Sequence, residues 1–177
     1  MKEFIFKLLG YEDLEKVMIL EQSSFAKNTW EDKSVYEERI RVFPEGNFGI
    51  WLNGVMIGFI SSELWSYEEN YNKKRFMLSH SIEEYHSYDG EELYISSFAI
   101  SKTYRGNGFG KEIFKIFLKK MKSMYSLKSS ILLVSEEWGS AKKVYESYGY
   151  EVQDYIDEFF INDFFEKFSG IIMRKYF

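Results

Sequence analysis

The chain has 177 residues, a fifth of them aromatic, no cysteine and a formal net charge of −5, which suits a single domain over residues 1–177 with a full-sized core and little disorder. The acidic balance argues against nucleic acid, whose phosphates require a dominant basic face, and the missing thiols exclude a disulfide framework, a thiolate metal site and a cysteine nucleophile. With no 18-residue apolar run and no basic, apolar leader, the chain is expected to be cytoplasmic and without membrane contact.

Glu3 to Leu9 reads as a first strand. Tyr11 to Glu21 follows as an amphipathic helix that turns Leu14, Val17, Met18 and Glu21 to one side. Thr29, three residues ahead of Asp32, has the pattern of an N-cap and predicts a second helix from Trp30 to about Phe43, stopped by Pro44 and Gly46. Phe48 to Leu52 and Val55 to Leu64 then form two strands around Asn53-Gly54, the dipeptide best suited to a two-residue hairpin turn.

Residues 66–92 break this rhythm, being polar, rich in Tyr and home to both histidines, His80 and His86. A structureless stretch of that length is uncommon inside a compact domain, so it holds a short helix, lies across a site as a lid, or ornaments this chain alone. Two histidines are too few for a metal site, and no metal is expected.

Tyr94 to Ile100 is the next strand, and Lys111 to Met124 the next helix, with Ile113, Phe114, Phe117, Leu118 and Met121 at the spacing of a buried stripe. Between them lies Arg105-Gly106-Asn107-Gly108-Phe109-Gly110. Alternate glycines let a backbone approach a ligand closely, a helix mouth favours an anion, and Lys102, Arg105 and Lys111 surround the loop with positive charge. The pattern predicts a pyrophosphate site, with a plain flexible turn as the alternative. It is not a Walker A loop, which needs Gly at 105 and Ser or Thr at 112, where Arg105 and Glu112 stand. A dinucleotide fingerprint fails as well, because its third Gly would fall at Lys111.

Ser130 to Ser135 is a short buried strand. Ser140 is expected to cap a helix lined by Ala141, Val144, Tyr145 and Tyr148, which Gly149 ends in the left-handed conformation. Glu151 to Asp157 and Gly170 to Tyr176 are the last two strands, joined by an aromatic loop from Phe159 to Phe168.

The glycine loop resembles the Arg/Gln-x-x-Gly-x-Gly/Ala coenzyme A signature of the GNAT superfamily of N-acetyltransferases. Ala141, Tyr145, Gly149 and Tyr150 resemble that family's Asn-x-x-Ala-x-x-x-Tyr-x-x-x-Gly-Phe segment, with Trp138 in the place of its Asn. The order βααβββαβαββ is similar to the family's throughout, apart from 66–92. The resemblance implies an α/β GNAT fold, a mixed and mostly antiparallel sheet of about seven strands splayed between strands 4 and 5, with about four helices.

It also implies acetyl transfer from acetyl-CoA directly to an amine, by a monomer or homodimer. Phe98, Ala99 and Ile100 would then bond the pantetheine arm through their backbone, and an amide near Phe98 or Ile100 would polarise the carbonyl. Main-chain amides of Arg105, Gly106, Asn107, Gly108, Phe109, Gly110 and Lys111 would hold the pyrophosphate. Tyr145 would be the general acid for the departing thiolate, although its place on an apolar stripe also fits a plain core role. Relatives carry Glu or His at the positions of Tyr94 and Ser96, so the base is open among Glu92, Glu91, His86 and ordered water. Glu-x-x-Ser-Phe from Glu21 to Phe25, and the turn Arg41-x-Phe-Pro-Glu, resemble the arylalkylamine acetyltransferase branch, whose paired strand histidines are missing here. On that likeness Phe25, Trp30, Tyr94 and Ser96 are expected to receive a primary amine of a small molecule. A protein N-terminus or lysine is the alternative acceptor, and a non-catalytic acyl-CoA sensor the alternative function.

Overall fold

Asn53 and Gly54 both take positive φ, 50° and 79°, and turn β2 (Asn47–Leu52) back into β3 (Val55–Trp65) as the dipeptide predicts. The computed structural model describes residues 3–177. Within them β1 (Ile5–Leu8), β4 (Glu92–Ile100), β5 (Ser129–Ser135), β6 (Glu151–Ile161) and β7 (Lys167–Tyr176) complete a seven-stranded sheet of order β1-β2-β3-β4-β5-β7-β6. Every neighbouring pair is antiparallel except β4 and β5.

The helices are α1 (Leu14–Ser24), α2 (Lys33–Val42), the four-residue α3 (Ile82–Tyr85), α4 (Phe109–Met124) and α5 (Gly139–Ser147). The expected stripe of α4 is buried in full and packs with Ile60 and Ile100 of the sheet. Side chains alternate along a strand, so Phe59 and Ala99 face the other way, where they form a second core with Leu14, Val17 and Leu20 of α1 and Tyr36 and Ile40 of α2.

The parallel pair is short. Glu92 to Ile95 pair with Ser129 to Leu132, after which the two strands part. β4 stays on β3 as far as Ile100, and β5 stays on β7 as far as Ser135. A bulge marks the parting point: Ser61 faces Ser97 and Ser62 faces Ile95, which leaves Ser96 as the extra residue.

Several boundaries differ from expectation for local reasons. Tyr11–Asp13 form a 3-10 turn in which Asp13 accepts the Gly10 amide at 3.2 Å, so α1 starts later and runs on to Ser24. Thr29 is not an N-cap. Its hydroxyl donates to the Ala26 carbonyl at 2.8 Å within a separate 3-10 turn, and Asp32 takes the cap position of α2. Ser140 lies inside α5, behind Trp138 at the cap, whereas Gly149 does close the segment at φ 82°. Half of the segment 159–168 is strand, because Asn162 accepts the Phe164 and Glu166 amides at 2.9 and 3.0 Å and confines the turn to five residues.

Between β3 and β4 the chain forms a 3-10 turn, Lys73–Phe76, and then α3. Three carboxylates fasten this strap. Glu31 accepts the Ser79 amide and hydroxyl at 2.9 and 3.2 Å, and Glu38 accepts the Ser81 hydroxyl and Ile82 amide at 2.9 and 3.2 Å. Buried Glu63 meets His80 Nε2 at 2.6 Å. No described helix is long and apolar enough to cross a membrane.

Candidate active site

Where β4 and β5 part, a cleft of about 630 Å³ opens, lined by Phe98, Ala99 and Ile100 on one strand and Leu132 to Val134 on the other. That volume suits a small-molecule or cofactor site. Phe98, Ala99 and Ile100 pair with Ile60, Phe59 and Gly58 along one edge of β4, and no strand pairs with their other edge, which faces the cleft. Backbone groups in such a place need partners, and an extended amide-bearing ligand can supply them.

The strand leads directly into the glycine loop. Arg105 Nε donates to the Ile100 carbonyl at 2.8 Å and ties the loop to the strand end. Gly106 and Gly108 lie at φ 80° and 76°, with open space in front of both, so backbone conformation and not crowding calls for glycine. Gly108 caps α4, and the Glu112 amide makes the bond to its carbonyl at 3.2 Å. The turn before it directs the positive end of the helix at the cleft. Arg105, Gly106, Gly108, Phe109, Gly110 and Lys111 all line the cleft. Asn107 does not; its side-chain amide folds back onto the carbonyls of Tyr104 and Arg105 at 3.4 and 3.2 Å.

Tyr145 reaches the same cleft from α5. Its ring packs 5.1 Å from Phe114 and 6.0 Å from Tyr150, and the residue is 8% exposed. The neighbouring tyrosines are occupied: Tyr150 donates to Ser130 Oγ at 2.7 Å and Tyr148 to the Lys111 carbonyl at 2.8 Å. The Tyr145 hydroxyl makes no hydrogen bond to another described residue. Burial pushes this phenol well above its ordinary range and keeps it protonated.

At the other end an aromatic wall closes in. Phe25 lies 5.4 Å from Trp138, and Trp138 4.9 Å from Phe160. Phe76, Met77 and Leu78 of the strap line the cleft too. Tyr94 reaches the cleft but stacks on Trp65 at 4.0 Å, and Ser96 Oγ donates to the Ser61 carbonyl at 3.2 Å. Trp30 is not part of the lining: its indole N–H donates to the Phe25 carbonyl at 2.8 Å and so holds Phe25 in place.

None of the side chains expected as a base lines the cleft. Glu92 is fully buried on the paired stretch of β4, bound to Arg174 at 2.7 and 3.0 Å and to the Ser129 hydroxyl at 2.6 Å. Such a carboxylate neutralises a buried guanidinium and has no route to a substrate proton. Glu91 pairs with Lys128 at 2.7 Å, and His86 accepts the Leu64 amide at 3.2 Å while packing on Phe43.

The cleft contains instead two buried carboxylates, Glu21 and Glu31. Glu21 accepts the Glu31 amide at 2.9 Å and the Tyr36 hydroxyl at 2.8 Å, and burial raises its pKa to about 6. Tyr36 in turn lies 3.2 Å from Ser97 Oγ on β4. Glu31 is held by Ser79 and by Arg39, at 3.4 Å from the guanidinium. An acid on the apolar side of α1 was the available signal for Glu21. Nothing in the local pattern singles out Glu31.

The profile of the acetyltransferase (GNAT) family matches residues 14–150. Among solved structures, the loading GNATL domain of CurA from Lyngbya majuscula superposes with a TM-score of 0.80 over 98% of both chains at 14% identity. The ribosomal-protein-S18-alanine N-acetyltransferase from Escherichia coli gives 0.73 over 98% of this chain and 94% of that one, at 16% identity. Naa50 from Arabidopsis thaliana, in complex with a bisubstrate analogue, gives 0.71 over 98% and 99% at 20% identity. No curated protein matches the chain in sequence.

Proposed function

The chain belongs to the GNAT family of acetyltransferases, and from that premise we propose that it moves an acetyl group from acetyl-CoA directly to the primary amine of a small molecule. One observation carries the reading: a single cleft contains the unpaired edge of β4, the mouth of α4 and the hydroxyl of Tyr145, which bonds to no other described residue.

The β4 edge from Phe98 to Ile100 takes the amide-rich pantetheine arm as an extra strand would be taken. The turn from Arg105 to Lys111 receives the pyrophosphate on main-chain amides, helped by the dipole of α4 and by charge-assisted bonds from Arg105. An amide near Phe98 or Ile100 polarises the thioester carbonyl. An alkylamine with a pKa near 10 gives up one proton before its nitrogen attacks. A C–N bond then forms, the C–S bond breaks, the departing thiolate takes the phenolic proton of Tyr145, and the nitrogen's second proton restores the phenol.

The roof favours a small acceptor. Phe25, Trp138 and Phe160 close one side, and the Lys27 amide clasps Asp163 of the β6–β7 turn at 3.0 Å. The strap residues Phe76 to Leu78 close another. A protein terminus would have to open that clasp.

Release of free CoA thiol is the test, with the full chain, acetyl-CoA and a panel of arylalkylamines, polyamines, amino acids and peptides. Release with small amines is expected. Release with peptides alone would overturn the acceptor class, and acetyl-CoA binding with no release from any amine would make the protein a sensor.

A further inference from the structure

Resting on that acetyl-transfer reading, we propose that Glu21, with the Ser24 hydroxyl one turn further along α1, is the subsite that receives the acceptor's ammonium group and takes its first proton. Three carboxylates line the cleft, and their surroundings separate them. Glu137 is exposed at the rim, where the Asn162 amide donates to it at 3.3 Å. Glu31 already has a cation, Arg39, at 3.4 Å, and its other oxygen accepts both the amide and the hydroxyl of Ser79.

Glu21 is 1% exposed and has no cationic side chain within 4.0 Å among the described residues. Each of its oxygens accepts one bond, although a carboxylate oxygen can accept about two. A buried carboxylate left without a counter-charge is costly unless a cation comes to it. Three residues on, and therefore on the same face of the helix, the Ser24 hydroxyl is buried, lines the same cleft and has no hydrogen-bond partner among the described residues. Two under-used polar groups thus stand side by side in a wall that Phe25, Phe76 and Leu78 otherwise make apolar.

That wall defines the ligand class. It suits a primary ammonium on an apolar or aromatic body, and it disfavours amino acids, whose carboxylate would meet Glu21 and Glu31. Tyr36 connects the subsite to Ser97, the residue before Phe98, so the amine is received beside the β4 edge. The proton balance closes. The ammonium gives one proton to Glu21, and the neutral amine attacks. As the C–S bond breaks, the thiolate takes the Tyr145 proton and the nitrogen's second proton restores the phenol. Glu21 then releases its proton to solvent.

The groups that face Glu21 are Tyr36 and Arg39 from α2, Glu31 from the loop and Ser97 from β4. Burial raises the pKa of Glu21 to about 6, so its own charge changes in that range.

Calorimetry on the full chain, with and without saturating CoA, tests the subsite by pairing 2-phenylethylamine and hexylamine with 2-phenylethanol and hexanol. The amines are expected to bind the wild type at least about tenfold more tightly than the alcohols, a preference that fades as pH falls through about 6. Glu21→Gln is expected to abolish the preference and leave alcohol and CoA binding unchanged, and Ser24→Ala to weaken it. Equal binding of amine and alcohol to the wild type, or a preference that survives in Glu21→Gln, would overturn the proposal. The pH series on the wild type decides the matter even if the variant fails to fold. Because the readout is binding, intact discrimination without thiol release would overturn the transfer reading and support the subsite.

Discussion

Tyr145 and Tyr150 are both buried and lie five residues apart, yet among the described residues only the Tyr150 hydroxyl finds a partner. Tyr150→Phe should therefore cost about 1 kcal/mol of stability. Tyr145→Phe should leave the unfolding midpoint and acetyl-CoA affinity unchanged and lower kcat about 100-fold, within the range of a lost general acid. Unchanged turnover in Tyr145→Phe would reduce the residue to a core aromatic. The motif spacing made the position of Tyr145 legible, because the residue lies with Ala141 and Val144 on one helix that lines the cleft. Glu92 was not legible: its partner Arg174 lies on β7, 82 positions away, and only the sheet brings the two together. Glu92→Gln should destabilise the fold by about 3 kcal/mol, leaving the Arg174 guanidinium buried without a counter-charge. Transfer per folded molecule should persist, as read by activity normalised to near-UV circular dichroism.

Among the elements, the strap from residue 66 to 91 is where sequence pattern said least. Its local composition is polar, and what orders it is tertiary: carboxylates of Glu31, Glu38 and Glu63, all outside the segment. The His80–Glu63 pair gives it a pH dependence. Burial opposes both charges, but each partner outweighs that, so His80 titrates above its ordinary 6.5 and Glu63 below its ordinary 4.5. The His80 contribution is complete below pH 6.5 and is lost as pH rises through the raised folded value. The Glu63 contribution is present above pH 4.5 and is lost as pH falls through the lowered one. His86 has no such partner, and burial lowers it. Ring resonances should show His80 titrating above 6.5 and His86 below; the reverse order would break the assignment of the anchor. The glycine loop, in contrast, was readable by position, since Gly106 and Gly108 both adopt the left-handed conformation that only glycine takes freely. Alanine at either should cost about 1–2 kcal/mol of backbone strain and weaken acetyl-CoA more than it weakens the fold.

At the scale of the whole molecule, the order of elements, the hairpin at Asn53-Gly54 and the parting of β4 from β5 agree with expectation, the hairpin through its turn dipeptide and the parting through the family resemblance. The end of the cleft proposed to receive the acceptor does not share that legibility. It is assembled from α1, the loop before α2, the strap and the tip of the last hairpin, which are distant in sequence. Bound acetyl-CoA should stabilise the protein by about 2.7 kcal/mol at one hundred times its dissociation constant, a shift visible in thermal unfolding. On the proposed function, main-chain amides at the mouth of α4 hold a diphosphate while the splayed strands hold the thioester arm. The most direct test of that arrangement is a calorimetric comparison of acetyl-CoA with S-acetylpantetheine, which keeps the arm and thioester but lacks the diphosphate. Saturable binding of acetyl-CoA, at least about tenfold tighter than the truncated donor, is the predicted result. No heat with acetyl-CoA, or equal affinity for the two, would contradict it.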